Sequence, residues 1–297
     1  MKGSGTPCRL CPRECGVDRK QAVGRCHVHD LPRVSRVGLH LWEEPCICYG
    51  SGSGTVFFAG CNLGCVFCQN REISAELGGK DISVADLADE FLRLQSMGAV
   101  NINLVTPTHF ADSIAEALER VKSDLHIPVI YNCGGYEKEE TLRMIAPYID
   151  IFLPDLKYFS SALSAKYSAA PDYFSVAARA LDIMYELNGY AVFDDDGHMT
   201  RGVLTRHLVL PGAVRDSLAL LDHLASHYDP PRFAVSLMSQ YFPTPACRDI
   251  PPLNRRLTTL EYEKVVDRAL ALGFTLGYTQ DRRSAKEEYV PVFDYGK

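Results

Sequence analysis

The chain has 297 residues, 46% of them hydrophobic, and a formal net charge of −6. That length supports one large domain with its own core and a small appendage. The acidic balance without a Lys/Arg block argues against a nucleic-acid partner, and no apolar run is long enough to span a bilayer.

The start, MKGSGTPCRLC, has no apolar secretion segment, so the expected location is the cytoplasm. Eleven cysteines bunched in close motifs then predict metal ligation in a reducing compartment, not a disulfide framework. The first fifty residues are rich in Cys, Arg and Gly with little periodicity, and are read as a metal-binding module (1–50) ahead of a main domain (51–297). Cys8, Cys11, Cys15 and Cys26 follow the spacing C-x2-C-x3-C-x10-C, with His27 and His29 as spare ligands. Four thiolates saturate either zinc or a second iron–sulfur cluster, and the spacing does not choose between them. Cys46 and Cys48 read as isolated half-buried thiols. The run from Gly50 to Gly54 looks like a phosphate loop but precedes a strand, so no helix N-terminus follows to receive phosphate.

From Thr55 onward short apolar runs alternate with helical patterns. The runs are TVFFA (55–59), NINLV (101–105), PVIYN (128–132), DIFLP (150–154), RHLVL (206–210) and FAVSLM (233–238). Between them, Ser83 with Asp86, and Thr258 with Glu261, mark capped helix starts. Strands buried on both faces and joined by helices predict an α/β fold with a parallel sheet: a partial (β/α)6-type TIM barrel with its site at the strand C-terminal ends. Asp194 to Gly197 lacks the alternating ligands of a calcium loop and reads as a hairpin turn. His109 and His207 read as packed side chains.

Directly after the first of these strands comes GCNLGCVFCQN, with Cys61, Cys65 and Cys68 spaced C-x3-C-x2-C. A tetrahedral zinc site wants four ligands and a disulfide an even number, so the triplet fits neither. Three thiolates on a four-iron cluster leave one iron without a protein ligand, open to a small molecule.

The triplet and the "CQN" that ends it resemble the signature of radical S-adenosylmethionine (radical SAM) enzymes, in the branch of pyruvate formate-lyase activating enzymes. NINLVTPTHF, PVIYNCGGYE, IDIFLPDLKY, RHLVLPG, SLMSQYFP, NRRLTTLEYEKVVDRALALGF and CRLCPRECGV together resemble the PflX-type group of that superfamily. The resemblance implies that Cys61, Cys65 and Cys68 bind a [4Fe–4S] cluster whose open iron takes S-adenosylmethionine, with Phe67 packing near the adenine and Asn70 beside it. Where relatives carry Gly-Gly-Glu, this chain has Thr106-Pro107-Thr108, which implies backbone carbonyls and the Thr106 and Thr108 hydroxyls as partners of the methionine amino group. Asn132, Cys133 and Gly134 occupy the place of a ribose-contacting segment, and Asp155 with Lys157 matches an Asp-Leu-Lys motif. Lys157 and Arg206, cationic at neutral pH, are implied partners of the methionine carboxylate. Gln240 falls where activating enzymes often carry a His.

The implied reaction is reductive cleavage of S-adenosylmethionine to a 5′-deoxyadenosyl radical that abstracts hydrogen, with flavodoxin or ferredoxin as electron donor. The substrate is expected to be a protein or peptide, such as a glycyl-radical enzyme. It is expected to dock along an open barrel side flanked by the Cys-rich module. A small-molecule metabolite is the alternative, and a non-catalytic iron–sulfur or zinc protein the remote one.

Overall fold

The computed structural model describes residues 7–280 together with Phe293 and Tyr295. Residues 1–6 of the predicted module and most of 281–297 of the predicted main domain lie outside the described residues.

In chain order the elements are β1 (Arg33–His40), β2 (Ser53–Phe58), α1 (Arg71–Ser74), β3 (Lys80–Asp81), α2 (Val84–Ser96), β4 (Ile102–Val105), α3 (Ala111–Val121), β5 (Val129–Cys133), α4 (Glu139–Ile145), β6 (Ile151–Pro154), α5 (Ser161–Ser168), α6 (Tyr173–Asn188), β7 (Val192–Phe193), β8 (Met199–Leu208), α7 (Val214–His227), β9 (Ala234–Met238), α8 (Thr259–Ala271) and β10 (Gly277–Thr279). The strands β2, β4, β5, β6, β8, β9 and β10 run parallel, each beside its predecessor. β1 lines the other side of β2 in antiparallel register, and β3 lies outside it. Because right-handed crossovers add every new parallel strand on the same side, the helices collect on one face and the sheet curls away from them. Among the described residues nothing pairs β10 with β3, so that side is unpaired, with Phe293 packed on Phe57 and the Tyr295 N–H on the Ser35 carbonyl beside it.

The six predicted apolar runs supply the first six parallel strands. The seventh, β10, is three residues of Gly-Tyr-Thr and carries no apolar run to betray it. β8 begins seven residues before the predicted start, because its first residues pair with β7 across the turn after Asp194. Both predicted caps form reciprocal boxes: the Ser83 and Thr258 hydroxyls accept from the third helical N–H, and the Asp86 and Glu261 carboxylates accept from the cap N–H.

Strand alternation sorts the core. Ile102, Leu104, Phe152, Val203, Val235 and Leu237 pack outward against the helices, whereas Ile130, Ile151, Leu153, Leu204 and Ala234 pack inward. The segment 41–52, between β1 and β2, closes the N-terminal end of this interior. Cys46 and Ile47, 2% and 1% exposed, insert among the inward residues. The Cys46 carbonyl accepts from Met199 N–H at 2.8 Å, and the Ile47 carbonyl from Asn101 Nδ2 at 2.5 Å. Cys46 is therefore a floor residue, while Cys48 is half-buried with its thiol 3.3 Å from the His40 carbonyl.

The irregular stretch before β1 does not flank the open side as expected. It lies over the loops that follow β2, β4 and β5 and over the C-terminal end of α5, because its arginines find carbonyl partners there. Arg13 donates to the carbonyls of Asn62, Ala169 and Ser168 at 2.8, 2.6 and 3.1 Å, and its guanidinium stands 5.1 Å from the Tyr136 ring centroid. Arg19, 6% exposed, donates to the His109 and His29 carbonyls. The Thr141 hydroxyl closes the contact on the Leu10 carbonyl at 2.7 Å.

Candidate active site

The loop after β2 carries Cys61, Cys65 and Cys68, all half-buried. Its path is set by contacts with three other loops. Asn62 Nδ2 donates to the Tyr136 carbonyl at 2.7 Å, Val66 N–H to the Tyr167 carbonyl at 2.9 Å, and Gln69 Nε2 to the Gln240 carbonyl at 2.8 Å. Each thiol has a donor: Leu63 N–H on Cys61 Sγ at 3.3 Å, the Ser168 hydroxyl on Cys65 Sγ at 2.9 Å, and the Ser74 hydroxyl on Cys68 Sγ at 3.3 Å. Burial, followed by the charge of Cys65, pushes the Cys61 thiol up to about 12. Burial also raises Cys68. Thiols this costly to ionise alone want a cation among them, and hydrogen-bond donors around sulfur are what a cluster's thiolates take. The donor set therefore fits an iron–sulfur cluster. Among the described residues no three Cys, His, Asp or Glu side chains stand ready-made as metal ligands.

Gly60 begins this loop at φ +82°, and a Cβ there would lie 2.4 Å from the Cys26 carbonyl oxygen. The N-terminal stretch thus touches the cluster loop itself. Gly60→Ala is expected to cost roughly 1–3 kcal/mol from the left-handed backbone and to spring the N-terminal stretch off. Faster limited proteolysis before residue 33 is the expected readout, and an unchanged cleavage rate would contradict this docking.

Beneath the loop, inside the curl, lies a buried charge network. Asp155 accepts from Lys157 Nζ at 2.5 Å and from Arg206 Nε at 2.9 Å. Arg206 also donates to Asn132 Oδ1 at 2.6 Å and to Glu43 Oε2 at 3.2 Å. The four charged side chains keep only 10–18% of their surface exposed. Burial alone would raise Asp155, but Lys157 and Arg206 reverse it and hold the carboxyl below its ordinary value. Burial opposes the charges of Lys157 and Arg206, yet Asp155 pushes both upward. Glu43, which shares Arg206 with Asp155, is raised by burial, as is Glu44 beside it. Gly135 at φ +75° lets the loop after β5 pass the Asp155 backbone: a Cβ there would lie 2.3 Å from its carbonyl oxygen.

Asp155, Lys157, Asn132 and Arg206, all named from the sequence, thus meet in one network. Gly134 sits directly over it: a Cβ there would stand 3.7 Å from Lys157 Cε. Thr106, directly after β4, lies in the left-handed region at φ +61°, a strained conformation for a β-branched residue, and its N–H is held by the Asn132 carbonyl at 2.9 Å. Asn70 is half-buried before α1, and Gln240 Oε1 accepts from Gln280 Nε2 at 3.3 Å.

Two expected side-chain contacts are redirected. Cys133 alternates with Asn132 and packs in the outer core against the helices, and the Thr108 hydroxyl donates to buried Glu137 at 2.7 Å. Either residue can then meet an interior ligand only through its backbone. Glu137 also accepts from the Tyr131 hydroxyl at 3.2 Å, and burial raises it to about 7. Phe67, 5% exposed, is enclosed by the rings of Tyr158, Tyr167 and Tyr241 at 6.2, 6.5 and 6.4 Å. His109 and His207 are packed, the first on the Ala59 carbonyl and the second between the Leu156 carbonyl and Ser217. Of the N-terminal cysteines, Cys11 and Cys26 are buried, Cys8 is half-buried and Cys15 exposed. Burial pushes Cys11 up to about 12, with smaller contributions from Glu137, Cys26 and Cys8.

Glu43 and Glu44 were not foreseen. Their only signal is an acidic pair between Trp42 and Pro45, in a segment that otherwise turns apolar at Cys46 and Ile47.

An uncharacterized protein of Methanocaldococcus jannaschii is 29% identical to this chain over 281 residues, covering 91% of this chain and 76% of that protein. A cysteine-to-serine variant of spore photoproduct lyase is similar in structure at a TM-score of 0.55 and 13% identity, covering 83% of this chain and 79% of that one. That likeness is one of fold. A domain of pyruvate-formate lyase-activating enzyme from Bacteroides vulgatus aligns at a TM-score of 0.37 and 12% identity, over 67% of this chain and 91% of that one. No helix among the described residues is long and apolar enough to cross a membrane. The sequence model of the radical SAM superfamily matches residues 55–223, from β2 into α7 and more than half of the chain, and the chain belongs to that superfamily.

Proposed function

We propose that this radical SAM enzyme acts on a protein or peptide segment presented at the open side of its sheet. The observation that carries the proposal is the pairing of a closed floor with an unclosed wall. Segment 41–52 fills the N-terminal end of the interior, and no strand pairing joins β10 to β3 among the described residues. A substrate therefore approaches from the loop side or along the unpaired wall beside β1, where Phe293 packs on Phe57 and the Tyr295 N–H bonds to the Ser35 carbonyl.

When bound, a [4Fe–4S] cluster and S-adenosylmethionine supply a 5′-deoxyadenosyl radical that takes hydrogen from the substrate, given an electron from a donor such as flavodoxin or ferredoxin. In this reading Cys61, Cys65 and Cys68 hold the cluster, and the hydroxyls of Ser168 and Ser74 steady two of the sulfurs. Lys157 and Arg206 receive the methionine carboxylate, Asp155 fixes both cations, and the strained Thr106 backbone turns carbonyl groups toward the amino end. Asn132 and the Gly134 backbone border the ribose, with Asn70 and Gln240 at the rim.

The test is isotopic. Reconstituted anaerobically and reduced with dithionite or flavodoxin, the enzyme is expected to form 5′-deoxyadenosine from S-adenosylmethionine. With a deuterated protein substrate, such as a glycyl-radical enzyme labelled at glycine, deuterium is expected in that product. Efficient transfer from a free metabolite with no protein present would replace this reading with the small-molecule one.

In the same reading Cys8, Cys11, Cys15 and Cys26 bind a separate metal, zinc or a second cluster. The stretch before β1 has few apolar residues to bury, so a metal contributes much of its folding energy. The variant Cys61→Ala/Cys65→Ala/Cys68→Ala is expected to purify with one equivalent of zinc, or with iron and sulfide, by elemental analysis. Folded but metal-free protein would remove the second site.

A further inference from the structure

We propose that the floor of the interior is a binding site for a protonated primary amine, built by Glu43, Glu44 and Asn103; this rests on the reading that a substrate group enters that interior. Segment 41–52 sets two consecutive acids under the charge network. Glu43 accepts from Asn103 Nδ2 at 3.1 Å and reaches Arg206 at 3.2 Å. Glu44 is 7% exposed and its Oε2 has no hydrogen-bond partner. Asn103 is fully buried, and its Oδ1 also lacks a partner. Besides these two acceptors, the Ser236 hydroxyl, a donor that stands at Glu44, is also buried without a partner. Each buried acceptor without a donor costs about 1–3 kcal/mol.

Charge points the same way. Glu43, Glu44 and Asp155 face Lys157 and Arg206, and both cations already bond to Asp155. Among these five groups the carboxyls outnumber the cations by one, and burial raises both glutamates. An ammonium supplies three donors and that one charge. A metal ion suits the place less well, since among the described residues no three Cys, His, Asp or Glu side chains are arranged to hold one. In the proposed function the methionine amino end belongs higher in the barrel, by Thr106, while its carboxylate meets Arg206, which also reaches Glu43 at 3.2 Å. Thr106 is three residues further along the chain than Asn103, a rise of roughly 10 Å. Glu43 and Arg206 keep 10% and 14% of their side-chain surface accessible.

Three probes test this on the reconstituted full-length protein: N-acetyl-lysine methylamide, cadaverine, and N-acetyl-norleucine methylamide, which lacks the amine. Binding is followed by calorimetry and by emission of Trp42, the sole tryptophan and the neighbour of Glu43. Saturable binding of the lysine derivative or of cadaverine, with none of the norleucine analogue, is the expected result. The stronger of the two amines tells a peptide side chain from a free amine. Glu44→Gln is expected to weaken that binding roughly tenfold or more, and Glu43→Gln/Glu44→Gln to abolish it. Equal binding of the norleucine analogue, no binding of either amine, or undiminished binding by folded Glu44→Gln would overturn the proposal. Wild-type protein that binds the amine but never cleaves S-adenosylmethionine keeps this site and loses the proposed function. Cleavage without amine binding does the reverse.

Discussion

Cys65→Ala is expected to reduce 5′-deoxyadenosine formation to the level of buffer, a loss of at least about a thousandfold, while circular dichroism stays that of the wild type. The size follows from chemistry with no substitute ligand. The loop offers three thiols, each with its own donor, and removing the middle one would leave two of a cluster's four irons without a protein ligand. The fold has little reason to suffer, because Cys65 is half-buried and its loss frees only the Ser168 hydroxyl, which also bonds to Tyr158 at 2.7 Å. Ser168→Ala separates ligation from tuning: the cluster should still assemble, but with a shifted reduction potential, since hydrogen bonds to sulfur help set that potential. Wild-type turnover by Cys65→Ala would remove Cys61, Cys65 and Cys68 from the chemistry altogether.

How much of this was legible depends on whether the cause is local. The helix starts at Ser83 and Thr258 are written in side chains three residues apart, and both appear as read. The six parallel strands are apolar runs buried on both faces, so their composition alone marks them. β1 was hidden because RVSRVGLH mixes two arginines, a serine, a glycine and a histidine with three apolar residues and lies between Cys26 and Cys46. It is a strand only because β2 offers a free edge. β10 is three residues long and owes its existence to β9 in the same way. The direction of Cys133 was available in principle, since Asn132 and its neighbour must face opposite sides of a strand. The place of the N-terminal stretch was not available, because Arg13 and Arg19 are held by backbone carbonyls of distant loops, which have no signature in sequence. Glu43 and Glu44 were hidden for a related reason. A carboxylate in a connecting segment reads as solvated until the segment is seen to fold under a sheet.

Arg206→Ala is expected to destabilise the protein by roughly 3–5 kcal/mol, because it leaves buried carboxylates without their shared cation. Its pH dependence carries the sharper test. In the wild type the folded value of Asp155 lies below its ordinary 3.8, so its contribution is present above that value and lost as pH falls through the folded one. Glu43 and Glu44 lie above their ordinary 4.5, so they favour the fold below 4.5 and lose that contribution as pH rises through their raised values. Removing Arg206 takes away the charge that offsets burial at both glutamates and one of the two cations on Asp155. All three carboxyls then shift upward together. The variant should therefore regain stability as the pH is lowered from 7 to 5, and the gap between its urea midpoint and that of the wild type should narrow. Arg206→Lys restores the charge but not the fork that joins Asp155, Asn132 and Glu43, so only part of the loss should return. A gap that is constant or widens on acidification would show that the three carboxyls do not share Arg206, and would take with it the charge shortfall on which the amine site depends.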